Sequence, residues 1–196
     1  MKITYLVALA LAWSGLASAA TLISVTGPVS NTSPTSTGSA AWAQAFTLAQ
    51  NHTGVAIGAP TVCQGCTGFV FLTNDVGAAA SLANVFNSDN YTGQSTLFSG
   101  LTLGPGDYFL VISITAGGFG WQASDAPVFF ESNGANARLS LHATTVASPG
   151  YKSTFAAFRP DFLYTVTADA VPEPATWLLT ASILAGLGLR ARRQVL

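Results

Sequence analysis

The chain has 196 residues, of which 49% are hydrophobic and only 8% charged, and its formal net charge is −1. So few cations, spread singly through the body of the chain, exclude the basic face that nucleic acid or an anionic lipid surface requires. Both ends are strongly apolar and raise the mean hydropathy to +0.45, so neither belongs in an argument about the fold.

The first residues, Met1-Lys2, form a short basic segment. Ile3 to Trp13 is apolar, and Ala17-Ser18-Ala19 is a small-residue cleavage site. That order is a secretory signal peptide over residues 1–19 rather than a membrane anchor, because the apolar run is short and meets the small residues directly. Residues 20–170 remain as one domain of about 150 residues, enough to bury a core. This part holds seven acidic and three basic side chains, a net charge of −4. Ser, Thr, Asn and Gly must carry its solubility.

A first short strand is expected at Leu22 to Val25, followed by a spacer rich in Ser, Thr, Gly and Pro from Thr26 to Ser39. Trp42 to Leu48 alternates, with Trp42, Phe46 and Leu48 on one face of a strand. Val55 to Ile57, Gly68 to Thr73 and Leu97 to Leu103 are further strands. Ala78 to Phe86 is the one helical candidate, weakened by Asn84 and a flanking glycine. Gly104-Pro105-Gly106-Asp107 is a turn, since glycine and proline supply the backbone angles of a reversal. Tyr108 to Ile114 is apolar on both faces and should lie centrally in a sheet. Val128 to Glu131, Arg138 to Ala143 and Phe162 to Thr167 complete the set. Short strands with frequent turn signals predict an all-β antiparallel sandwich, jelly-roll-like rather than immunoglobulin-like, with a C-terminal transmembrane helix appended.

That helix is Ala175 to Leu189, a run without charge. At about 1.5 Å per residue it spans roughly 22 Å, and snorkelling of Arg190, Arg192 and Arg193 lengthens its reach. The positive-inside rule places those arginines in the cytoplasm. Val171-Pro172-Glu173-Pro174 enters the run in extended geometry, because proline disfavours helix in the residue before it. Pro-Glu-Pro, a short apolar helix and a terminal Arg cluster together resemble the PEP-CTERM sorting signal of exported bacterial proteins. The resemblance covers only Val171 to Arg193. It implies a membrane-embedded exosortase-type enzyme that recognises Pro172-Glu173-Pro174 and cleaves nearby, followed by release or transfer to the cell surface beside exopolysaccharide. A looser likeness to the passenger regions of such proteins runs through Phe98 to Leu103, Tyr108 to Leu110 and Gly120-Trp121-Gln122. It implies a β-rich passenger and no activity.

Candidate chemistry is sparse. Cys63-Gln64-Gly65-Cys66 holds the only cysteines. In an exported chain the spacing fits a disulfide closing a tiny loop. A redox pair would want a helix N-terminus, and zinc would need two more ligands, for which only His52 and His142 remain. His52 lies in Asn51-His52-Thr53-Gly54, which reads as a solvated turn, and His142 lies in a strand. There is no Gly-x-Ser-x-Gly elbow, no His-Glu-x-x-His and no phosphate loop, so neither a cofactor nor a bound metal is expected. Asp125 and Glu131 flank an aromatic segment and are the only acids worth weighing as a hydrolytic pair. Asn87-Ser88-Asp89-Asn90 is rich in oxygen and reads as a polar turn, with calcium as the sharper alternative. Phe119 and Trp121, with Phe129 and Phe130, follow Gly117-Gly118. Trp121 and Phe119 form the candidate sugar platform, against the plainer reading that Trp121 is core.

The expectation is an exported, non-enzymatic surface or extracellular-matrix protein associated with exopolysaccharide. A carbohydrate-binding module using Trp121 or Trp42, and a secreted hydrolase on the same scaffold, are the alternatives.

Overall fold

The computed structural model describes residues 19–29, 31–32, 36–37 and 39–170. The expected signal peptide up to Ser18, and the expected sorting motif, transmembrane run and Arg cluster from Val171 onward, lie outside the described residues. Thr21–Ala168 is one compact unit. Of the second unit, which the two ends of the chain compose, only residues 19, 20, 169 and 170 are described.

The unit is built almost wholly of strands: β1 Ala20–Thr26, β2 Asn31–Thr32, β3 Ser36–Thr37, β4 Ala40–Leu48, β5 His52–Gly58, β6 Thr61–Thr73, β7 Val85–Tyr91, β8 Thr96–Leu103, β9 Gly106–Ser124, β10 Val128–Glu131, β11 Ala135–Thr145, β12 Thr154–Ala157, β13 Asp161–Phe162 and β14 Tyr164–Ala168. They form a five-stranded sheet in the order β10-β1-β14-β5-β8 and a nine-stranded sheet in the order β12-β11-β4-β9-β6-β7, with β2, β3 and β13 also on β9. Every ladder in which partners are assigned residue by residue is antiparallel, including β4 and β6 on β9, β11 on β4 and β5 on β14.

β9 organises the larger sheet. Its 19 residues pair with β4 on one side and β6 on the other, as a strand apolar on both faces should. Tyr108, Leu110, Ile112 and Ile114 enter the core between the sheets, where Trp42, Phe46, Val70 and Leu72 meet Val55, Ile57, Tyr164 and Val166. Val111 faces the other way, into a second small core with Ala43, Phe71, Ala80 and Tyr151. That outer core exists because two short segments fold over the sheet. One is the stretch at Gly77–Ala80, and the other is the 3-10 turn Gly150–Lys152. They are tied by a hydrogen bond from the Gly77 amide to the Tyr151 carbonyl.

The turn at Gly104–Pro105 is present, but it joins β8 of one sheet to β9 of the other. The chain therefore changes sheet there instead of closing a hairpin. The Tyr108 hydroxyl braces the corner by donating to the Gly104 carbonyl at 2.8 Å.

The expected helix over Ala78 to Phe86 is absent. Only Leu82–Asn84 winds, as a 3-10 turn, and Val85 opens β7. Asn84 explains the failure. Its Oδ1 accepts from the Ser81 amide and hydroxyl, its Nδ2 donates to Asn74 Oδ1, and its carbonyl accepts from Thr73 Oγ1. Those bonds hold the backbone in a turn, and β6 offers the residues that follow a ladder. The Asn87–Asn90 segment, read as a polar turn or calcium loop, is the middle of β7. Successive side chains of a strand point to opposite faces, so Asp89 faces away from Ser88 and Asn90.

Candidate functional site

The residues singled out in the sequence separate into core, staple and surface. Trp121 is fully buried and stacks on Phe162 with centroids 4.7 Å apart and planes 12° off parallel. Its indole Nε1 donates to the Leu163 carbonyl at 2.9 Å. Phe119 is buried between Trp42, at 4.7 Å, and Tyr91, which it meets edge-on at 5.6 Å. Trp42 is fully buried as well. The candidate sugar platform of Trp121 and Phe119 is therefore interior, and so is the alternative at Trp42. The same period-two alternation that would aim an aromatic at solvent aims it at the core when read from the other face. Phe129 and Phe130 part company with that pair and lie half exposed on the edge strand β10.

Cys63 and Cys66 are joined as a disulfide. It spans an irregularity in β6, where Gln64 opposes Gly118 and Thr67 opposes Ala116, so two residues face the single Gly117. Gly117 has a φ of +81°, and a Cβ there would lie 2.3 Å from the Gly65 carbonyl oxygen. Only glycine fits under the bulge.

His52 is not a solvated turn residue. It begins β5 and is buried, and its Nε2 has no hydrogen-bond partner among the described residues. Desolvation holds its pKa below the usual value. His142 lies in β11, as expected, with its ring 5.6 Å from Trp42, and burial lowers its pKa too. Asp125 precedes β10 and Glu131 ends it, and the Glu131 carboxylate accepts from the Ala137 amide at 2.7 Å. Among the described residues no three His, Cys, Asp or Glu side chains gather where they could hold a metal. No helix among them is long and apolar enough to cross a membrane.

One concave feature stands out, on the outer face of the nine-stranded sheet. It is a half-open depression of about 410 Å³, within the roughly 300–1,000 Å³ of small-molecule sites. The register of β6, β7 and β9 builds its floor. Phe69 pairs with Ser113, Phe71 with Ser88 and Val111, and paired residues share a face. Val146 to Gly150 supplies one wall. That wall is braced by the Ala147 amide donating to Ser153 Oγ, and it comes close because a Cβ on Gly150 would lie 2.1 Å from Ser113 Oγ.

The lining has two characters and no charge. Phe69 is 44% exposed, and its ring lies 6.1 Å from that of Phe71, which rests edge-on against Tyr151 at 5.1 Å. A row of three rings, tilted and then edge-on, thus ends at the surface in one half-exposed ring. Ser39, Ser88, Thr115 and Ser148 also line the depression, and Ser113 lies buried beneath Gly150. Thr115 donates to the Thr67 carbonyl at 3.0 Å, while the four serine hydroxyls have no hydrogen-bond partner among the described residues. Phe69 was missed in the sequence because Phe69-Val70-Phe71-Leu72 is apolar throughout. Parity was the available signal: Val70 and Leu72 share one face, and Phe69 and Phe71 share the other.

Comparison with protein-family models, curated proteins and solved structures finds no match to this chain.

Proposed function

We propose that this is an exported, non-enzymatic protein of the cell surface or extracellular matrix that contacts exopolysaccharide through the outer face of its larger sheet. The observation that carries the reading is the uncharged depression, in which a half-exposed ring lies among serines whose hydroxyls have no partner among the described residues. Such a surface suits a polyhydroxylated neutral polymer, because each hydroxyl both donates and accepts. Export rests on the signal peptide at residues 1–19. Sorting rests on Pro172-Glu173-Pro174, the apolar run to Leu189 as a transmembrane helix, and Arg190, Arg192 and Arg193. An exosortase-type enzyme would be the partner that removes the tail. The sandwich itself is of the jelly-roll kind, a reading supported by the chain's repeated crossing between sheets, as at β4 to β5, β5 to β6 and β8 to β9.

The test has two parts. Mature protein is centrifuged with exopolysaccharide isolated from its own host, and co-sedimentation is expected. Protein that stays in the supernatant would refute the contact. Intact mass of the membrane and medium fractions tests the sorting. Pro172, Glu173 and Pro174 all replaced by Ala should leave a tail-bearing precursor in the membrane, and unchanged processing would remove the sorting signal from the account.

A further inference from the structure

We propose that the depression at Phe69 is a subsite for one uncharged pyranose unit of a polysaccharide chain, with the Phe69 ring as the platform and the Ser39 and Ser88 hydroxyls as its polar partners. This rests on the reading that the protein meets matrix polysaccharide and names the place and the ligand class.

Three observations converge. A pyranose has an apolar C–H face, which the electron-rich face of an aromatic ring attracts, and Phe69 is the ring that the depression leaves open. The ring has a fixed neighbour on one side, because Phe71 is buried and meets Tyr151 edge-on, which lowers the ordering that binding must impose. The rim hydroxyls match sugar hydroxyls in being donor and acceptor at once, and no protein group competes for the serines among the described residues.

The lining also determines what is refused. Among the described residues it offers no Lys, Arg or His to pair with a uronate, sulfate or phosphate. The body of the chain is net acidic, which repels an acidic polymer at long range. A wholly apolar ligand would strip water from serines and give nothing back. A neutral hexose polymer satisfies both halves of the surface.

The experiment is affinity electrophoresis of the mature protein in native gels cast with galactomannan, with dextran or with alginate. Wild type is expected to be retarded by at least one neutral polymer and not by alginate. Phe69→Ala should weaken that retardation by roughly tenfold in Kd, and Phe69→Trp should retain it. Phe69 is half exposed, so its loss should leave the denaturation midpoint near that of wild type. Ser88→Asp adds a carboxylate from an exposed lining position and provides a second variant that does not depend on packing. It too should lose binding. Equal retardation of wild type and Phe69→Ala, stronger retardation in alginate, or no retardation of wild type in either neutral polymer would overturn the subsite. If Phe69→Ala still co-sediments fully with host matrix, the subsite is wrong while the wider reading survives. If wild type fails to co-sediment, the wider reading is wrong.

Discussion

Trp121 decides between two accounts of the same residue, and its replacement by alanine separates them. On the structure, Trp121→Ala removes the ring that stacks on Phe162 at 4.7 Å and the donor that serves the Leu163 carbonyl at 2.9 Å. Deleting a buried Trp costs about 3–5 kcal/mol, because the cavity collapses only in part. The orphaned carbonyl adds about 1–3 kcal/mol where water cannot reach it. A domain of this size has a total stability of about 5–15 kcal/mol, so the variant should be severely destabilised or unfolded at 37 °C. Trp121→Phe keeps a ring against Phe162 and loses the hydrogen bond, and should cost roughly half as much. Urea denaturation followed by far-ultraviolet circular dichroism measures both. The midpoint should fall steeply for Trp121→Ala and moderately for Trp121→Phe, with the slope unchanged. A Trp121→Ala protein within about 0.5 kcal/mol of wild type, the range of an ordinary surface substitution, would mean that the ring is outside, and the burial argument would fall.

Two further predictions concern the same body. His52 and His142 both have pKa values held down by burial, so the unfolded chain binds protons that the folded chain refuses. Their contribution is fully present above the ordinary histidine pKa of about 6.5 and is lost as pH falls below it. The urea midpoint should therefore drop between pH 7 and pH 5. A His52→Gln, His142→Gln double variant should show a shallower drop, and an identical pH profile would refute the assignment. Gly117→Ala should destabilise by about 2 kcal/mol or more, since φ is +81° and the new Cβ meets the Gly65 carbonyl. Gly118→Ala, whose Cβ would find only Gln64 at 3.5 Å, is the control, and its midpoint should stay higher than that of Gly117→Ala.

The all-β class and the central strand were legible because they rest on local pattern. Tyr108 to Ile114 shows apolar residues at both parities, and a strand covered on both faces is what the structure contains. The errors have a common cause, which is that a side chain's value depends on which neighbour covers it. Asn51-His52-Thr53-Gly54 has turn composition, yet β5 starts at His52, and the register irregularity between His52 and Val55 absorbs the glycine. Asn87 to Asn90 is polar enough to suggest a turn, yet it lies in β7. As the edge of the sheet it needs a ladder on one side only and tolerates exposed Ser88, Asp89 and Asn90. Trp121 was left between a plainer reading as core and a sharper one as a sugar platform, and Phe69 drew no reading beyond its place in a strand. Period two says that two residues share a face and is silent on whether that face meets the other sheet or the solvent.

The position of the depression follows from how far the outer face is covered. β6 and β9 are apolar on both sides, so their outer residues must be hidden or left exposed. Gly77–Ala80 and Gly150–Lys152 hide Val111 and most of Phe71, and Tyr151 anchors that cover from above. The cover ends one pair further along the ladder, at Phe69 and Ser113. At that boundary the outer core gives way to serine and threonine, and Gly150 lets the wall descend onto Ser113. A half-exposed ring at the end of a buried aromatic row, with serines beside it, is what such an incomplete cover leaves. The same low charge that makes the chain depend on Ser and Thr for solubility also leaves the rim uncharged. The proposed subsite for neutral, hydroxylated ligands therefore needs no residues beyond those that terminate the outer core.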